Sequence, residues 1–144
     1  MIYFYTPRDE YGCFSNFSPH GIEIDGRYWP TVEHYFQAQK FTDTTHQERI
    51  AYARTPKEAK ALGWDRQIPI RPDWDQIKDE VMLAAVRQKF ATHEKIRNIL
   101  LSTGDERLVE NAPSDDYWGC GADGAGKNRL GQILMQVRSE LRLG

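Results

Sequence analysis

The sequence predicts a mainly α fold of the α+β type: one compact helical domain over residues 1–144 with a small β-hairpin element near the N-terminus. Three observations predict it. Strand-like patterning is confined to the first thirty residues. Within them, Asp25-Gly26 sits between alternating residues, the pattern of a two-residue hairpin turn. From Pro30 onward, apolar residues recur at helical spacing between recognisable caps. A chain of 144 residues is long enough to bury its own core without a disulfide or metal staple.

Each element follows from local chemistry. Ile2 to Tyr5 is a short β-like run, and Ile22 to Trp29 forms the hairpin, bounded by Pro19, Gly21 and Pro30. Thr31 caps a helix predicted to reach about Phe41. A second helix is predicted over Gln47–Arg54. Thr55-Pro56-Lys57-Glu58 is a capping box with proline at the first helical position, and Gly63 closes that helix. Asp73 opens the longest helix, whose inner face is predicted to carry Ile77, Val81, Ala84, Ala85 and Gln88. Thr92 is the expected cap of the next helix, which buries Ile96, Ile99 and Leu100 and stops at Gly104. The last helix starts near Lys127 or Asn128 and carries Leu130, Ile133, Leu134, Val137 and Leu141 on one side. Between these two helices, residues 111–126 show no periodicity and hold Tyr117, Trp118 and four glycines, the composition of a functional loop.

Composition narrows the function. A formal net charge of −2 excludes a globally basic nucleic-acid binder. No apolar run approaches the roughly 20 residues of a membrane span, and Met1-Ile-Tyr-Phe-Tyr5 lacks the basic region of a secretory leader. Cys13 and Cys120 form no disulfide framework, so a reduced, cytoplasmic protein is expected. The four histidines show no metal-ligand spacing, and neither a metal nor a cofactor is expected. Lys57, Lys60, Arg66 and Arg71 are interrupted by Asp65, Asp73 and Asp75, which reads as a mixed, solvated surface.

Three motifs carry chemistry. In Glu33-His-Tyr-Phe-Gln37-Ala-Gln-Lys40, helical geometry sets Gln37 about 40° and Lys40 about 20° from Glu33, so a carboxylate, an amide and an amine share one stripe. Spacing alone admits either a solvated helix face or the wall of a pocket, where burial would make Glu33 an acid, base or charge stabiliser and Lys40 its partner or a nucleophile. In the second motif, glycines between Trp118 and Gly126 precede Lys127, Asn128 and Arg129 at a helix start, where backbone N–H groups and positive charge favour an anion. Third, Phe14-Ser15-Asn16-Phe17 reads as a core-packed turn, with Asn16 reaching a ligand as the alternative.

Taken together, Phe14-Ser-Asn-Phe17, the string Trp29-Pro-Thr-Val-Glu-His-Tyr-Phe-Gln-Ala-Gln-Lys-Phe41, Tyr117-Trp-Gly119 and Lys127-Asn-Arg-Leu-Gly131 resemble the NADAR family of YbiA-like proteins over almost the whole chain. The resemblance implies a compact, mainly helical domain and an N-glycosidase activity. It implies as substrate the ribosylamino-pyrimidine 5′-phosphate intermediates of riboflavin synthesis or, alternatively, ADP-ribose linked to guanine in nucleic acid. It maps the functional glutamate onto Glu33, the lysine of the same helix onto Lys40, and the Trp-Gly element onto Trp118 and Gly119. The family pattern runs Trp-Gly-Asp-Gly where this chain has Trp118-Gly119-Cys120-Gly121, leaving Asp123 as the nearest acidic replacement in the loop.

The expected site is therefore Glu33 and Lys40 as catalytic groups lining one recess, closed over by the Trp118 segment. Asn16, Gln37, Trp118, Gly119, Asp123, Lys127, Asn128 and Arg129 are its expected substrate contacts. The expected partner is a small phosphorylated ribosyl or ADP-ribosyl compound, with nucleic acid entering only as a modified substrate and no membrane involved. A non-catalytic reader of ADP-ribose or a related nucleotide is the rival from another class; it would need Trp118 and the glycine loop but not Glu33 paired with Lys40.

Overall fold

Proline at position 30 ends the strand-forming part of the chain and releases a series of helices. The computed structural model describes residues 1–144. In chain order the elements are β1 (Ile2–Phe4), β2 (Ile22–Ile24), β3 (Arg27–Trp29), α1 (Val32–Ala38), α2 (Thr44–Ala51), α3 (Pro56–Gly63), α4 (Trp74–Thr92), α5 (Glu94–Ser102), β4 (Leu108–Glu110) and α6 (Arg129–Leu143), with a short 3₁₀ turn over Gly12–Phe14. Six α-helices and a few three-residue strands make this the predicted α+β class. The chain forms two compact units, Pro19–Lys89 and Met1–Ser18 with Phe90–Gly144. No helix is long and apolar enough to cross a membrane.

In the unit of residues 19–89, β2 and β3 pair antiparallel with Ile22 opposite Trp29, and Asp25 and Gly26 both take positive φ at the turn, as the hairpin signal requires. The helix after Pro30 is only seven residues long, too short to be stable by itself, so its cap and its packing must hold it. Thr31 accepts from the His34 N–H as N-cap, and all seven residues of α1 are buried. The helix ends at Ala38, three residues before the expected boundary, because Lys40 and Phe41 turn back onto the carbonyls of Gln37 and Ala38 in a tighter 3₁₀-like turn. Asp43, rather than a residue nearer Gln47, caps α2 by accepting from the His46 N–H, which moves the whole helix three residues upstream of expectation. Thr55 caps α3 as predicted, with Pro56 in its first turn.

The inner face of α4 differs from the predicted one. Met82, Ala85, Val86, Lys89 and Phe90 are buried, while Ala84 is exposed and Ile77, Val81 and Gln88 are half-buried. Lys89 lies on the true stripe, and its charged head hides that stripe from a hydrophobic count.

In the other unit, β1 pairs parallel with β4, Ile2 opposite Leu108 and Phe4 opposite Glu110. β4 was not expected, since Leu108-Val109-Glu110 is too short to show alternation. His93 stands at the N-cap of α5 where Thr92 was expected, and Gly104 follows that helix with φ +64°. Phe4 meets Phe14 edge-on at 5.8 Å, and Phe14 meets Phe90 at 6.1 Å. Leu130, Ile133, Leu134 and Val137 bury the predicted face of α6. Arg138, also on α6, is buried and donates to the Thr103 hydroxyl and the Glu106 carbonyl, 2.8 Å each, which fixes the chain just before β4.

Candidate active site

The buried helix α1 is held at its start by a histidine. His34 Nδ1 lies 2.8 Å from the Thr31 hydroxyl, and Nε2 lies 3.0 Å from the Ala53 carbonyl. A carbonyl only accepts, so Nε2 carries the proton and Nδ1 accepts from Thr31. Burial lowers the His34 pKa, which keeps this neutral arrangement.

With α1 held in this way, its polar stripe points inward. Glu33, Gln37 and Lys40 are all at least nine-tenths buried, so the stripe is not a solvated helix face. Gln37 Nε2 donates to Glu33 Oε2 at 2.7 Å, the contact that positions four apart on a helix provide. The other amide atom, Gln37 Oε1, is buried and has no partner within the protein. A buried unsatisfied acceptor is costly, and it is what a hydrogen-bonding ligand would relieve.

Lys40 lies beyond the end of α1 and reaches the C-terminal end of α3. Its Nζ is 3.5 Å from the Gly63 carbonyl and 4.9 Å from the centroid of the Trp64 ring. Burial pushes the Lys40 ammonium down to about 8; the Glu33 charge pulls it back up, and the Arg66 and Lys60 charges push it further down. The end of α3 is itself fixed, since His46 Nε2 sits 2.9 Å from the Leu62 carbonyl. Gly63 has no side chain for a steric reason: a Cβ there would collide with the Gln37 amide. In the sequence Gly63 shows only as a helix stop, and nothing local ties Trp64 to Lys40. The available signal was the Gly-Trp pair at the end of a capped helix.

The loop before α6 has a different character in the structure from the one expected. Asp115 Oδ1 accepts from the N–H groups of Tyr117 and Trp118, at 3.0 and 2.9 Å, and shapes the turn that carries the indole. Trp118 is half-buried and lies edge-on to Tyr117 at 4.9 Å. Gly119 lies against the Ala112 side chain and the Glu110 carbonyl, where a Cβ does not fit. Lys127, Asn128, Arg129 and Leu130 donate their N–H groups to the carbonyls of Asp116, Gly119, Tyr117 and Trp118. The expected backbone cradle for an anion is therefore occupied by the loop itself, and only side chains remain for that task.

Of those side chains, Lys127 Nζ lies 5.3 Å from the Tyr117 ring centroid, and Arg129 is bonded to Gln132. Asn128 takes a left-handed conformation, and both ends of its amide serve β4: Oδ1 accepts from Glu110 N–H and Nδ2 donates to Leu108 O, 2.9 Å each. Its side chain thus acts on the strand rather than on a ligand. Cys120 is buried with Sγ 3.5 Å from Asn111 Oδ1. Asp123 is exposed and accepts from the Ala125 N–H at 3.0 Å. Asn16 is buried after the 3₁₀ turn. Glu33, Gln37 and Lys40 are thus brought together in residues 19–89, and Trp118, Gly119, Lys127, Asn128 and Arg129 in the other unit.

A short, fully buried helix bearing a carboxylate, with a buried lysine of lowered pKa just past its end, is the kind of arrangement that hydrolytic and imine-forming sites use. Comparison with known proteins agrees with this class. The chain is 56% identical to the N-glycosidase Npun_R5314 of Nostoc punctiforme, over 98% of this chain and 92% of that protein. It is 47% identical to the N-glycosidase YbiA of Escherichia coli, over 99% of this chain and 89% of that one. The NMR structure of E. coli YbiA matches with a TM-score of 0.91, covering 99% of this chain and 84% of that chain. A riboflavin biosynthesis protein of Vibrio vulnificus is 45% identical over 98% of this chain, which spans 38% of that longer protein. The NADAR domain model matches residues 3–142, and the chain belongs to the NADAR family.

Proposed function

We propose that this chain is a hydrolase of N-glycosyl compounds, acting as a single domain, and that its substrate is a ribosylamino-pyrimidine 5′-phosphate of the kind formed in riboflavin synthesis. The observation that carries the chemistry is the burial of Glu33 beside Gln37, with a Lys40 amine lowered to about 8. Its N-glycosidase relatives support the reaction, and the Vibrio vulnificus relative supports the pathway.

Breaking the bond between C1 of ribose and nitrogen leaves positive charge on C1 and the ring oxygen. A buried carboxylate stabilises that charge, takes a proton from the attacking water and passes it to the departing amine. Glu33 has this role, and Gln37 fixes its carboxylate. Lys40 offers a second route, because ribosylamines open readily to a C1 imine. The free amine of Lys40 adds to that C1, the pyrimidine amine leaves, and water then cleaves the lysine imine to give the sugar phosphate and free Lys40.

The decisive assay offers the full chain two substrates, a ribosylamino-pyrimidine 5′-phosphate and ADP-ribosylated guanine, and measures base release. Cleavage of the first with Glu33→Gln inactive supports the reading. Preferential cleavage of the second reassigns the substrate, and an undiminished Glu33→Gln removes Glu33 from the mechanism.

A further inference from the structure

The surface around Trp64 carries two cations, Arg66 and Lys60, that no carboxylate of the protein pairs with directly. Trp29 and Trp74 are buried, but Trp64, the C-cap of α3, is 54% exposed. The Arg66 guanidinium carbon stands 4.7 Å from its ring centroid, and Lys40 Nζ stands 4.9 Å from the same ring. Lys60, one turn back on α3, is close enough for its charge to act on Lys40. Arg71 shows the usual outcome for a surface cation: Asp73 takes it with two bonds, 2.6 and 3.1 Å. Arg66 and Lys60 have no such partner, and Asp65, the carboxylate next in the chain, accepts from the Gln67 N–H.

Like charges gathered around one exposed ring repel each other, and an anion relieves that repulsion. A guanidinium laid on an indole is also held in place while the N–H donors at its edge stay free for a phosphate. Arg129, in the other unit, is less prepared, since it is bonded to Gln132. We propose that Trp64, Arg66 and Lys60 form an anion subsite beside Lys40 that takes the phosphate of a sugar phosphate, with the indole presenting the guanidinium. This rests on the reading of Glu33 and Lys40 as the reacting pair, and it moves the phosphate from Lys127 and Arg129 to the end of α3.

The test measures binding of ribose 5-phosphate and of ribose to the full chain by calorimetry, with Arg66→Ala, Trp64→Leu, Trp64→Phe and Arg129→Ala beside the parent. The parent is expected to favour the phosphorylated sugar by about tenfold or more, the worth of one charge-assisted contact. Arg66→Ala should bring the two ligands within about threefold, and Trp64→Leu should weaken the preference while Trp64→Phe restores most of it. Arg129→Ala should leave it intact. Absence of any preference in the parent, its survival in Arg66→Ala, or its loss in Arg129→Ala overturns the subsite. Base release is followed in parallel. An Arg66-dependent preference in a chain that cleaves no ribosylamine keeps the subsite and sinks the proposed reaction; cleavage with a preference indifferent to Arg66 does the reverse.

Discussion

Replacing Lys40 by methionine separates the thermodynamics of the buried amine from its chemistry. The side chain keeps its length and loses its charge. The native Lys40 pKa is lowered from 10.5 to about 8, mainly by burial. At 1.36 kcal/mol per unit this amounts to about 3 kcal/mol between the two protonation states. The sign follows from linkage. Between pH 8 and 10.5 the unfolded chain holds a proton that the folded chain has released, so stability from this group rises with pH across that window. By pH 10 about 2 kcal/mol of the gain should be realised relative to pH 7. Urea unfolding of the parent and Lys40→Met at pH 7 and pH 10 isolates it, because other titrations are common to both proteins. The parent should gain about 2 kcal/mol on the variant over that interval. A difference between the two proteins that does not change with pH would show that Lys40 is not buried and depressed as described.

Three further outcomes are expected. Borohydride added during turnover should trap a covalent sugar adduct on Lys40, read by mass spectrometry, with a yield rising as pH climbs through about 8; no adduct at any pH, with Lys40→Ala active, excludes the imine route. Gly63→Ala forces a methyl into the Gln37 amide and should cost about 1–3 kcal/mol in unfolding experiments while lowering activity through the displaced Gln37. Asn128→Ala removes the two bonds its amide makes to the Glu110 N–H and the Leu108 carbonyl and should destabilise by about 2–3 kcal/mol, again by denaturant unfolding.

What could be read from the sequence was what is local. Thr31 and Thr55 cap where side-chain chemistry says they do, and Asp25-Gly26 turns the hairpin, because each signal lies within a few residues of its effect. The shared stripe of Glu33, Gln37 and Lys40 was equally visible, though helical spacing cannot say which way a stripe faces. Burial is decided by tertiary packing, and so is the parallel partner of β1, which lies 106 residues further along the chain at Leu108. The same limit hid the contacts at the end of α3. Gly63 and Trp64 are more than twenty residues from Lys40, and only packing brings a carbonyl and an indole to its amine.

In the proposed mechanism the Glu33 carboxylate acts on Lys40 as well as on substrate, and these two actions pull activity in opposite directions at neutral pH. The negative charge of Glu33 raises the Lys40 pKa against the larger effect of burial. Glu33→Gln removes that pull while keeping an oxygen that can still accept from Gln37 Nε2, so the helix should stay folded. The Lys40 pKa then falls below its parent value, and more of the amine is free at pH 7. If attack by Lys40 alone limited the rate, Glu33→Gln would be as fast as the parent at neutral pH, or faster. If the carboxylate stabilises charge at C1 or moves the proton, turnover should fall by about a hundredfold or more at every pH, the range a positioned acid–base group contributes. Trapping and turnover together decide between these. A Glu33→Gln protein that forms the Lys40 adduct at lower pH than the parent, yet releases sugar slowly, assigns hydrolysis of the imine to Glu33. One that turns over normally removes the carboxylate from the chemistry and leaves the amine as the reacting group.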